Sequence, residues 1–174
     1  EIMPSLVGSE MCIRDRDGDD SRFTADIGYL GTEDRSFDFN YDALQTGRRT
    51  VSNMNADGVL QDRSAKLFRG TIDFQKGAAG SKGDEKEDVL LLGEDVVNRT
   101  IPLILCAEED VEGNHGASIG QLDEDILFYM NSRGLSRAEA ELLITHSKLE
   151  ALCAKANDPG LTDRVHRYLE ENAQ

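Results

Sequence analysis

Hydrophobic and polar residues alternate with a period of two over much of the chain, and this alternation predicts β-strands. In the stretch LFRGTIDF, Phe68 and Ile72 fall on one face and Arg69 falls on the other. A strand that buries only one of its two faces produces this pattern. Six segments have strand-like sequences: Phe23–Leu30, Ser36–Tyr41, Thr50–Met54, Leu67–Phe74, Val89–Leu92 and Ile101–Cys106.

Turn signals separate these segments, and no helical period interrupts them before Glu112. Asp57-Gly58 is predicted to be a tight turn, and the segment KGAAGSKGDEK, from Lys76 to Lys86, is predicted to be a loop. Ile101–Cys106 is apolar almost throughout, as in a strand that is covered on both faces. Strands that follow one another without helical crossovers favour a sandwich or a β-helix over an α/β sheet.

After Gly120 the hydrophobic period changes to that of α-helices. Asp123 is the predicted N-cap of the first helix, because its carboxylate can accept a hydrogen bond from a free N–H group of the first turn. This helix is predicted to end at Arg133, with Gly134 in the left-handed conformation that follows many helices. Ser136, followed three residues later by Glu139, has the pattern of a capping box, which predicts the start of a second helix.

The second helix is predicted to present one apolar face to a partner helix. The residues of this face recur at spacings of three and four: Ala138, Leu142, Thr145, Leu149, Leu152 and Ala156. Asp158-Pro159-Gly160 is expected to end the helix. Thr162 is the predicted cap of a third helix, and His146 and His166 are expected to face solvent from the two helices. The apolar stripe of the third helix comprises Leu161, Val165, Tyr168 and Leu169.

The composition of the 174 residues restricts the possible partners. The net charge of −15 argues against binding to nucleic acid or to an anionic membrane, since both would repel the chain. No run approaches the roughly 18 apolar residues of a transmembrane helix. The three cysteines, Cys12, Cys106 and Cys153, are too few for a disulfide framework, so the cytoplasm is the predicted compartment.

The chain divides into three predicted parts. Residues 1–16 have no periodicity and resemble a translated sequencing-adapter peptide, so we exclude them, with Cys12, from functional reasoning. This exclusion implies that a native N-terminal segment is missing from the sequence. Residues 17–120 form the predicted β body, and residues 121–174 form the predicted helical end.

His115 is the main chemical candidate, and residue spacing leaves two interpretations open. It lies in the glycine-rich stretch GNHGASIG, where it could be a turn residue that bonds to a nearby carbonyl. It could instead bind iron or zinc, or transfer protons near pH 7. Four nearby acids could add oxygen ligands, although their alternation prevents all four from converging: Glu108, Glu109, Asp110 and Glu112. Cys106, at the end of RTIPLILC, is expected to be a small buried hydrophobe, and Cys153 is expected to pack between helices.

The stretch EEDVEGNHGASIGQLDEDILFYMNSRGLSRAEAELL strongly resembles the C-terminal signature of the SufB/SufD family, the scaffold subunits of the SUF iron–sulfur cluster assembly system. The pattern HGAxxGxLDExxLFYxxSRG carries the resemblance, which extends upstream through KLFRGTIDFQKGAAGSKGDEK to about Arg22. The HGA form at His115 resembles SufD-like members, since SufB-like members tend to have glutamate at the position of Gly116. Many SufD-like chains have a cysteine where this chain has Gly113.

The resemblance implies a right-handed parallel β-helix followed by a small helical domain. It also implies a complex of SufB, SufD and two copies of the ATPase SufC, with nascent iron–sulfur clusters forming where His115 faces a SufB-like subunit. His115 is therefore expected at a cluster-assembly interface, with metal ligation as a possible role. The helices are expected to dock the SufC-like ATPase through these residues: Leu127, Phe128, Tyr129, Leu142, Leu149 and Leu152.

The family implies a scaffold that is not an enzyme, with no tightly bound cofactor and at most a transient cluster at a subunit interface. The sequence agrees with this role, because KGAAGSKGDEK does not match the nucleotide-binding pattern GxxxxGK[ST]. One alternative is a metal-dependent β-helix hydrolase in which His115 acts with Asp110 or Glu112. A further alternative is a family member that only stabilises the complex.

Overall fold

The computed structural model of this chain describes residues 7–156, 158 and 160–171. Within these residues eight strands precede three helices. The strands are β1 Val7–Arg16, β2 Arg22–Gly31, β3 Ser36–Gln45, β4 Val51–Gln61, β5 Ala65–Phe74, β6 Ser81–Leu92, β7 Val97–Cys106 and β8 Val111–Gln121. The helices are α1 Glu124–Ser132, α2 Arg137–Cys153 and α3 Leu161–Glu171.

The strands form two parallel sheets of four. Sheet A contains the odd-numbered strands in the order β1-β3-β5-β7, and sheet B contains the even-numbered strands in the order β2-β4-β6-β8. Each strand therefore pairs with the strand two places later, so the chain winds as a solenoid of four coils. The predicted parallel β-helix followed by helices is confirmed. The alternative of a sandwich is wrong, because the sheets of a sandwich are antiparallel.

The corners of the solenoid repeat from coil to coil. Ser36 pairs with Ala65, 29 residues later, and Arg22 pairs with Val51 at the same offset. Residues with positive φ recur at equivalent corners, where they turn the chain sharply from one sheet to the other. These residues are Asp20, Arg49 and Gly80 at the corners that enter sheet B, and Glu33, Asp62 and Gly93 at the corners that enter sheet A.

Ion pairs connect these corners between neighbouring coils. Arg49 donates two hydrogen bonds to the Asp20 carboxylate, at 2.8 and 2.7 Å. Arg63 donates two to the carboxylate of Asp34, at 2.7 and 3.0 Å. The bidentate arginine bonds hold the pKa of each aspartate below its usual value. Because the pairs are exposed to solvent, they align the coils but add little to the stability of the fold.

The space between the sheets is filled by the inward-facing side chains of every second residue. The burial pattern of β5 alternates along its whole length, as the stretch Leu67–Phe74 predicted. The largest fully buried apolar side chains are Met54, Leu60, Phe68, Ile72 and Phe74. Burial of each such side chain contributes about 1.5–3 kcal/mol, so this cluster accounts for much of the cohesion of the stack.

Two segments that were predicted to be turns lie inside strands. Asp57-Gly58 belongs to β4, where a Cβ at Gly58 would come within 2.3 Å of the Tyr29 ring. The glycine therefore makes room for an inward-facing aromatic side chain instead of forming a turn. The predicted loop Lys76–Lys86 is correct only as far as Gly80, because β6 begins at Ser81. Pairing with β4 extends this polar segment, and its composition concealed the strand.

The helix termini agree with the sequence. Asp123 accepts a hydrogen bond from the Asp125 N–H at 2.7 Å, which confirms it as the N-cap of α1. Gly134 has a φ of +94°, so the left-handed residue after α1 is also confirmed. The capping box at the start of α2 is complete, since the Glu139 carboxylate accepts a hydrogen bond from the Ser136 N–H at 2.7 Å.

The predicted apolar face of α2 is partly wrong. Thr145 and Leu149 are buried, but Ala138, Leu142 and Ala156 are exposed. The buried positions of the helix are Ala140, Thr145, Leu149 and Cys153, which confirms Cys153 as a packing residue. The face differs because α2 packs against the outer surface of sheet B as well as against α3.

Two lysines attach α2 to the outer surface of sheet B, one within the helix and one just after its C-terminal end. Lys148 lies 2.8 Å from Asp88, and Lys155 lies 3.0 Å from Asp57. Between these ion pairs, Leu152 packs against Gly28, which has no side chain. A Cβ built on Gly28 would lie 3.4 Å from the Cδ1 atom of Leu152. The helical end is thus folded back onto the β body.

The third helix begins one residue earlier than its predicted cap. Thr162 lies within α3 and is not its cap. Just before the helix, the Asp158 carboxylate accepts a hydrogen bond from the Gly160 N–H at 2.9 Å. Pro159, part of the predicted helix break, lies outside the described residues. His146 and His166 are half-buried, with ring centroids 5.7 Å apart, so the prediction that they face solvent was wrong.

Candidate functional site

His115 lies in the middle of a strand and not in a turn. The glycine-rich stretch around it forms β8, which is paired along its length with β6. Gly113 has a packing role, because a Cβ there would lie 2.7 Å from the Ile104 Cγ2 and would crowd the interior. The turn interpretation of His115 is therefore wrong, since pairing with the preceding coil holds the glycines in extended backbone.

The register of sheet B puts His115 on the inner side of the solenoid. His115 pairs directly with Glu85 of β6, and Glu85 pairs with Met54 of β4. Both Met54 and Glu85 are fully buried between the sheets, and residues that pair directly on neighbouring strands share a face. His115 nevertheless remains exposed, because no further described coil covers this end of the stack.

The last coil leaves two strand edges unpaired in the described part of the chain. Within this part β7 is the final strand of sheet A, and β8 is the final strand of sheet B. Ile101, Leu103 and Leu105 on β7 are exposed, so the prediction of a strand covered on both faces was wrong. Cys106 is a free, exposed thiol at the end of β7, and the prediction that it is buried was also wrong.

A polar cluster lies inside the solenoid, one coil below His115. The Lys66 ammonium donates hydrogen bonds to Glu87 and, at 3.2 Å, to the Thr100 hydroxyl. The Thr100 hydroxyl in turn donates to the second carboxylate oxygen of Glu87 at 2.5 Å. The side chains of Lys66 and Glu87 are both fully buried. Burial lowers the pKa of Lys66, although the hydrogen bond with Glu87 opposes this effect.

Glu85 is the second buried carboxyl group of this interior. Its side chain is fully buried, and neither of its oxygens has a hydrogen-bond partner among the described residues. Desolvation, with a smaller effect from the negative charge of Glu87, raises the pKa of Glu85 to about 7. The opposite sheet makes room for the carboxyl, because a Cβ on Gly70 would lie only 2.4 Å from one of its oxygens.

Two of the four acids near His115 in sequence, Glu112 and Glu108, are engaged elsewhere. The Glu112 carboxylate lies 2.9 Å from Lys82 on the neighbouring strand. Glu108 accepts hydrogen bonds from the backbone N–H groups of Gly77 and Glu109, and these bonds lower its pKa. Across the described residues, no group of three or more His, Cys, Asp and Glu side chains is arranged to hold a metal ion. Within that part of the chain, His115 and Cys106 are therefore not members of such a group.

The predicted docking residues separate into exposed and buried groups. Phe128 and Tyr129 on α1 are 75% and 57% exposed, and Leu142 on α2 is also exposed. Leu127 and Leu149 are buried inside the domain, so a direct contact with a partner is excluded for them in this conformation. Leu152 is half-buried against Gly28. We call the exposed residues Ile126, Phe128, Tyr129, Leu142 and Leu143 the helical patch.

The buried polar residues Lys66, Glu85 and Glu87 were missed at the level of sequence. Polar side chains normally indicate a solvated segment, which explains why the predicted loop Lys76–Lys86 includes Glu85 and why no strand was predicted at Glu87. A usable signal was present, because the alternation that buries Val89 continues backwards through Glu87 and Glu85.

No helix in the described part of the chain is both long enough and apolar enough to cross a lipid bilayer.

Comparison with known proteins gives the same family over most of the chain. Residues 11–148 match the family model described as the SufBD core domain of the SUF system for FeS cluster assembly. The chain is 28% identical over 145 residues to the iron–sulfur cluster assembly protein SufD of Bacillus subtilis, which covers 83% of this chain and 33% of the relative. It is 28% identical over 107 residues to the SufD of Escherichia coli, covering 62% of this chain and 25% of the relative.

A third relative has higher identity over a shorter share of its own length. An iron–sulfur cluster assembly SufBD family protein of Mycobacterium bovis is 33% identical over 128 residues, covering 72% of this chain and 15% of the relative. The chain thus spans a third or less of the length of these relatives. The family match begins at residue 11, inside the segment 1–16, and β1 spans Val7–Arg16. The proposed origin of that segment stays a prediction.

Proposed function

Because the chain belongs to the SufB/SufD family of the SUF iron–sulfur cluster assembly system, we propose that it is a SufD-like scaffold subunit. In this proposal it holds no cofactor of its own, and the iron–sulfur cluster is the cargo that is built at a subunit interface. The cytoplasm is the proposed compartment. The partners are a SufB-like subunit and a SufC-like ATPase, which supplies the nucleotide chemistry that this chain lacks.

The observation that carries the proposal is the open last coil with His115 on its inner side. Unpaired edge strands offer free backbone N–H and C=O groups to another chain. A SufB-like subunit that covers β7 and β8 would enclose His115 between the two proteins. An imidazole at such an interface can bind iron or accept a proton. A site that is incomplete in one chain fits a scaffold that shares its ligands with a partner.

The first test of this proposal is the change His115→Ala in the complex reconstituted with the SufB-like and SufC-like partners. We expect the rate of cluster formation to fall at least about tenfold, because loss of a residue that only orients a metal ligand already costs about 10–100-fold in metal affinity or activity. The rate is measured from the growth of visible absorption during assembly. Asn114→Ala is the matched control, since it removes a polar side chain from the outer face of the same strand. Assembly at the wild-type rate in His115→Ala would exclude the proposed role.

The helical patch is the proposed binding surface for the SufC-like ATPase. Its apolar side chains are 36–75% exposed on two neighbouring helices, in a chain with a net charge of −15. Exposed aromatic residues on a stable helical support are typical of protein interfaces. Leu127 and Leu149 contribute by holding α1 and α2 in place.

Phe128→Ala should weaken the binding of the SufC-like ATPase at least about tenfold, because central aromatic residues contribute most of the energy of many interfaces. The affinity is measured by isothermal titration calorimetry with the purified ATPase. Asn131→Ala is the control, since Asn131 is exposed on the same helix but is not part of the patch. Because Phe128 is mostly exposed, its loss should not unfold the domain. Unchanged affinity would place the docking surface elsewhere.

The alternative of a metal-dependent hydrolase has less support. Glu112 is paired with Lys82, and Glu108 is bonded to backbone N–H groups, so neither is free to act with His115 in this conformation. Hydrolase activity should be present in the isolated chain, whereas a scaffold should depend on its partners. Metal-dependent turnover of an ester or phosphodiester substrate by the isolated chain, abolished by His115→Ala, would favour the hydrolase.

A further inference from the structure

Among the residues that the structure describes, the buried carboxyl of Glu85 has no hydrogen-bond partner, although buried polar groups are normally satisfied. Its two oxygens lack hydrogen bonds, although Lys66, Glu87 and Thr100 next to it bond to one another. A buried acceptor without a donor costs about 1–3 kcal/mol, and a charged one costs more. Such a group therefore indicates either a functional role or a donor that reaches it in another side-chain conformation.

The residues that surround Glu85 restrict the identity of this donor. Met54, its pairing partner on β4, has no N–H or O–H group in its side chain. Gly70, across the interior, has no side chain, and a Cβ built on it would lie 2.4 Å from one of the carboxyl oxygens. The remaining directly paired neighbour is His115 on β8, whose ring carries an N–H in every protonation state.

The distance between paired strands brings the two side chains within reach of each other. Neighbouring strands lie about 4.7–4.9 Å apart, and directly paired residues project to the same side of the sheet. A glutamate and a histidine at such positions can form a hydrogen bond after a rotation about side-chain bonds alone. The exposed ring of His115 is free to rotate, because no described coil lies above it.

We propose that Glu85 is the positioning residue of His115. In this arrangement one ring nitrogen of His115 donates its proton to the Glu85 carboxylate inside the solenoid, and the other nitrogen points out of the open coil with its lone pair free. A carboxylate behind a histidine fixes the tautomer and orients the ring, as in many metal-binding histidines. Its meaning for cluster assembly rests on the proposed function.

The test uses the whole chain, without partners, and reads the histidine tautomer directly. With ¹⁵N-labelled imidazole rings, NMR distinguishes protonated from unprotonated nitrogens at pH 8, where the rings are neutral. The chain has only three histidines, and His115→Ala identifies the signals of His115. In the wild type we expect one neutral tautomer to exceed the other about tenfold, because hydrogen bonds to charged groups contribute about 1.5–3 kcal/mol.

Glu85→Met removes the acceptor and keeps a side chain of similar size, so it should abolish most of this preference. Glu85→Gln should reduce it by a smaller amount, because a neutral amide oxygen is a weaker acceptor. Glu112→Gln, on the same strand as His115 but paired with Lys82, should leave the preference unchanged. If Glu85 had only a structural role, replacing it would not change the ratio of the two neutral tautomers of His115.

An unbiased tautomer in the wild type would overturn the proposal, and so would an unchanged ratio in the Glu85→Gln variant. If Glu85→Met does not fold, the wild type and Glu85→Gln still decide the question. The assay is independent of the proposed function. A biased tautomer combined with normal cluster assembly in His115→Ala would retain the Glu85–His115 pair and reject its role in assembly.

Discussion

Replacing Lys66 with methionine is expected to lower the free energy of unfolding by about 3–5 kcal/mol, which is the usual cost of removing one partner from a buried ion pair. Methionine keeps most of the volume of lysine, so the loss comes mainly from the charge. Without the ammonium group, the fully buried Glu87 would retain only the Thr100 hydroxyl as a partner. Urea unfolding, followed by circular dichroism at pH 7.5, measures the change.

Two further variants separate the ion pair from simple packing. Lys86→Met is the surface control, because Lys86 pairs with Asp84 in solvent on the same strand as Glu87, and it should change stability by less than about 1 kcal/mol. The double variant Lys66→Met with Glu87→Met should recover much of the loss, since no buried charge remains unpaired. Equal destabilisation by the single and double variants would show that the pair is not the cause.

The unfolding free energy of the wild type should fall between pH 5 and pH 8 because of Glu85, by about 3 kcal/mol when the carboxylate has no donor and by less when His115 donates a hydrogen bond to it. The pKa of this carboxyl is about 7 in the folded chain, against 4.5 for an unperturbed glutamate. Between these values the folded state binds more protons than the unfolded state, so stability decreases as pH rises. The effect is fully present below pH 4.5 and is lost as pH rises through 7. The shift of about 2.5 pH units gives the magnitude.

Glu85→Gln should remove this pH dependence, because an amide does not titrate. The variant should therefore be more stable than the wild type at pH 8 and similar to it at pH 5. The carboxylates whose pKa is lowered, including Asp20, Asp34 and Glu108, act in the opposite direction, but their stabilising contribution is fully present above about pH 5 and is lost only at lower pH. Chemical unfolding at several pH values gives both curves. Parallel curves for the two proteins would contradict the buried state of Glu85.

These two predictions concern one feature, a charged interior beneath the open coil. Natural β-helices can fill their interior with apolar side chains, and the second coil of this chain does so with Phe39 and Met54. The third coil instead buries Lys66, Glu85 and Glu87, at a cost in stability. A cost at this point is consistent with a functional role, because the cluster lies directly below His115, the group that we propose for the subunit interface.

Local signals predicted the features that depend on residues close in sequence. The caps at Asp123 and Ser136 and the left-handed Gly134 were confirmed, because a helix terminus is specified by side chains within three or four residues of it. The strand at Leu67–Phe74 was recognised from its alternation. The family resemblance, carried by a dense motif around His115, also identified the parallel β-helix, which alternation alone did not distinguish from a sandwich.

Predictions that depended on the surroundings of a segment were less reliable. Lys76–Lys86 and Asp57-Gly58 have the composition of turns, yet pairing with the neighbouring coils places most of these residues in strands. The apolar face of α2 was misplaced because the helix packs on sheet B, whose outer surface includes Gly28 and Asp57. Exposure of Phe128 and burial of Leu127 likewise depend on what each helix face contacts.

The sequence by itself determined that a body of strands precedes the helices, where the helix caps lie and which family the chain belongs to, and it singled out His115 as the main chemical candidate. Only the tertiary structure decided that Glu85 lies beside His115, that Lys66 is buried with Glu87, and that the last coil is open. These facts depend on pairing between residues about 30 positions apart, which stacks one coil on another. Local propensity contains no information about that register, because the hydrogen bonds that set it form only when the chain returns to the same sheet.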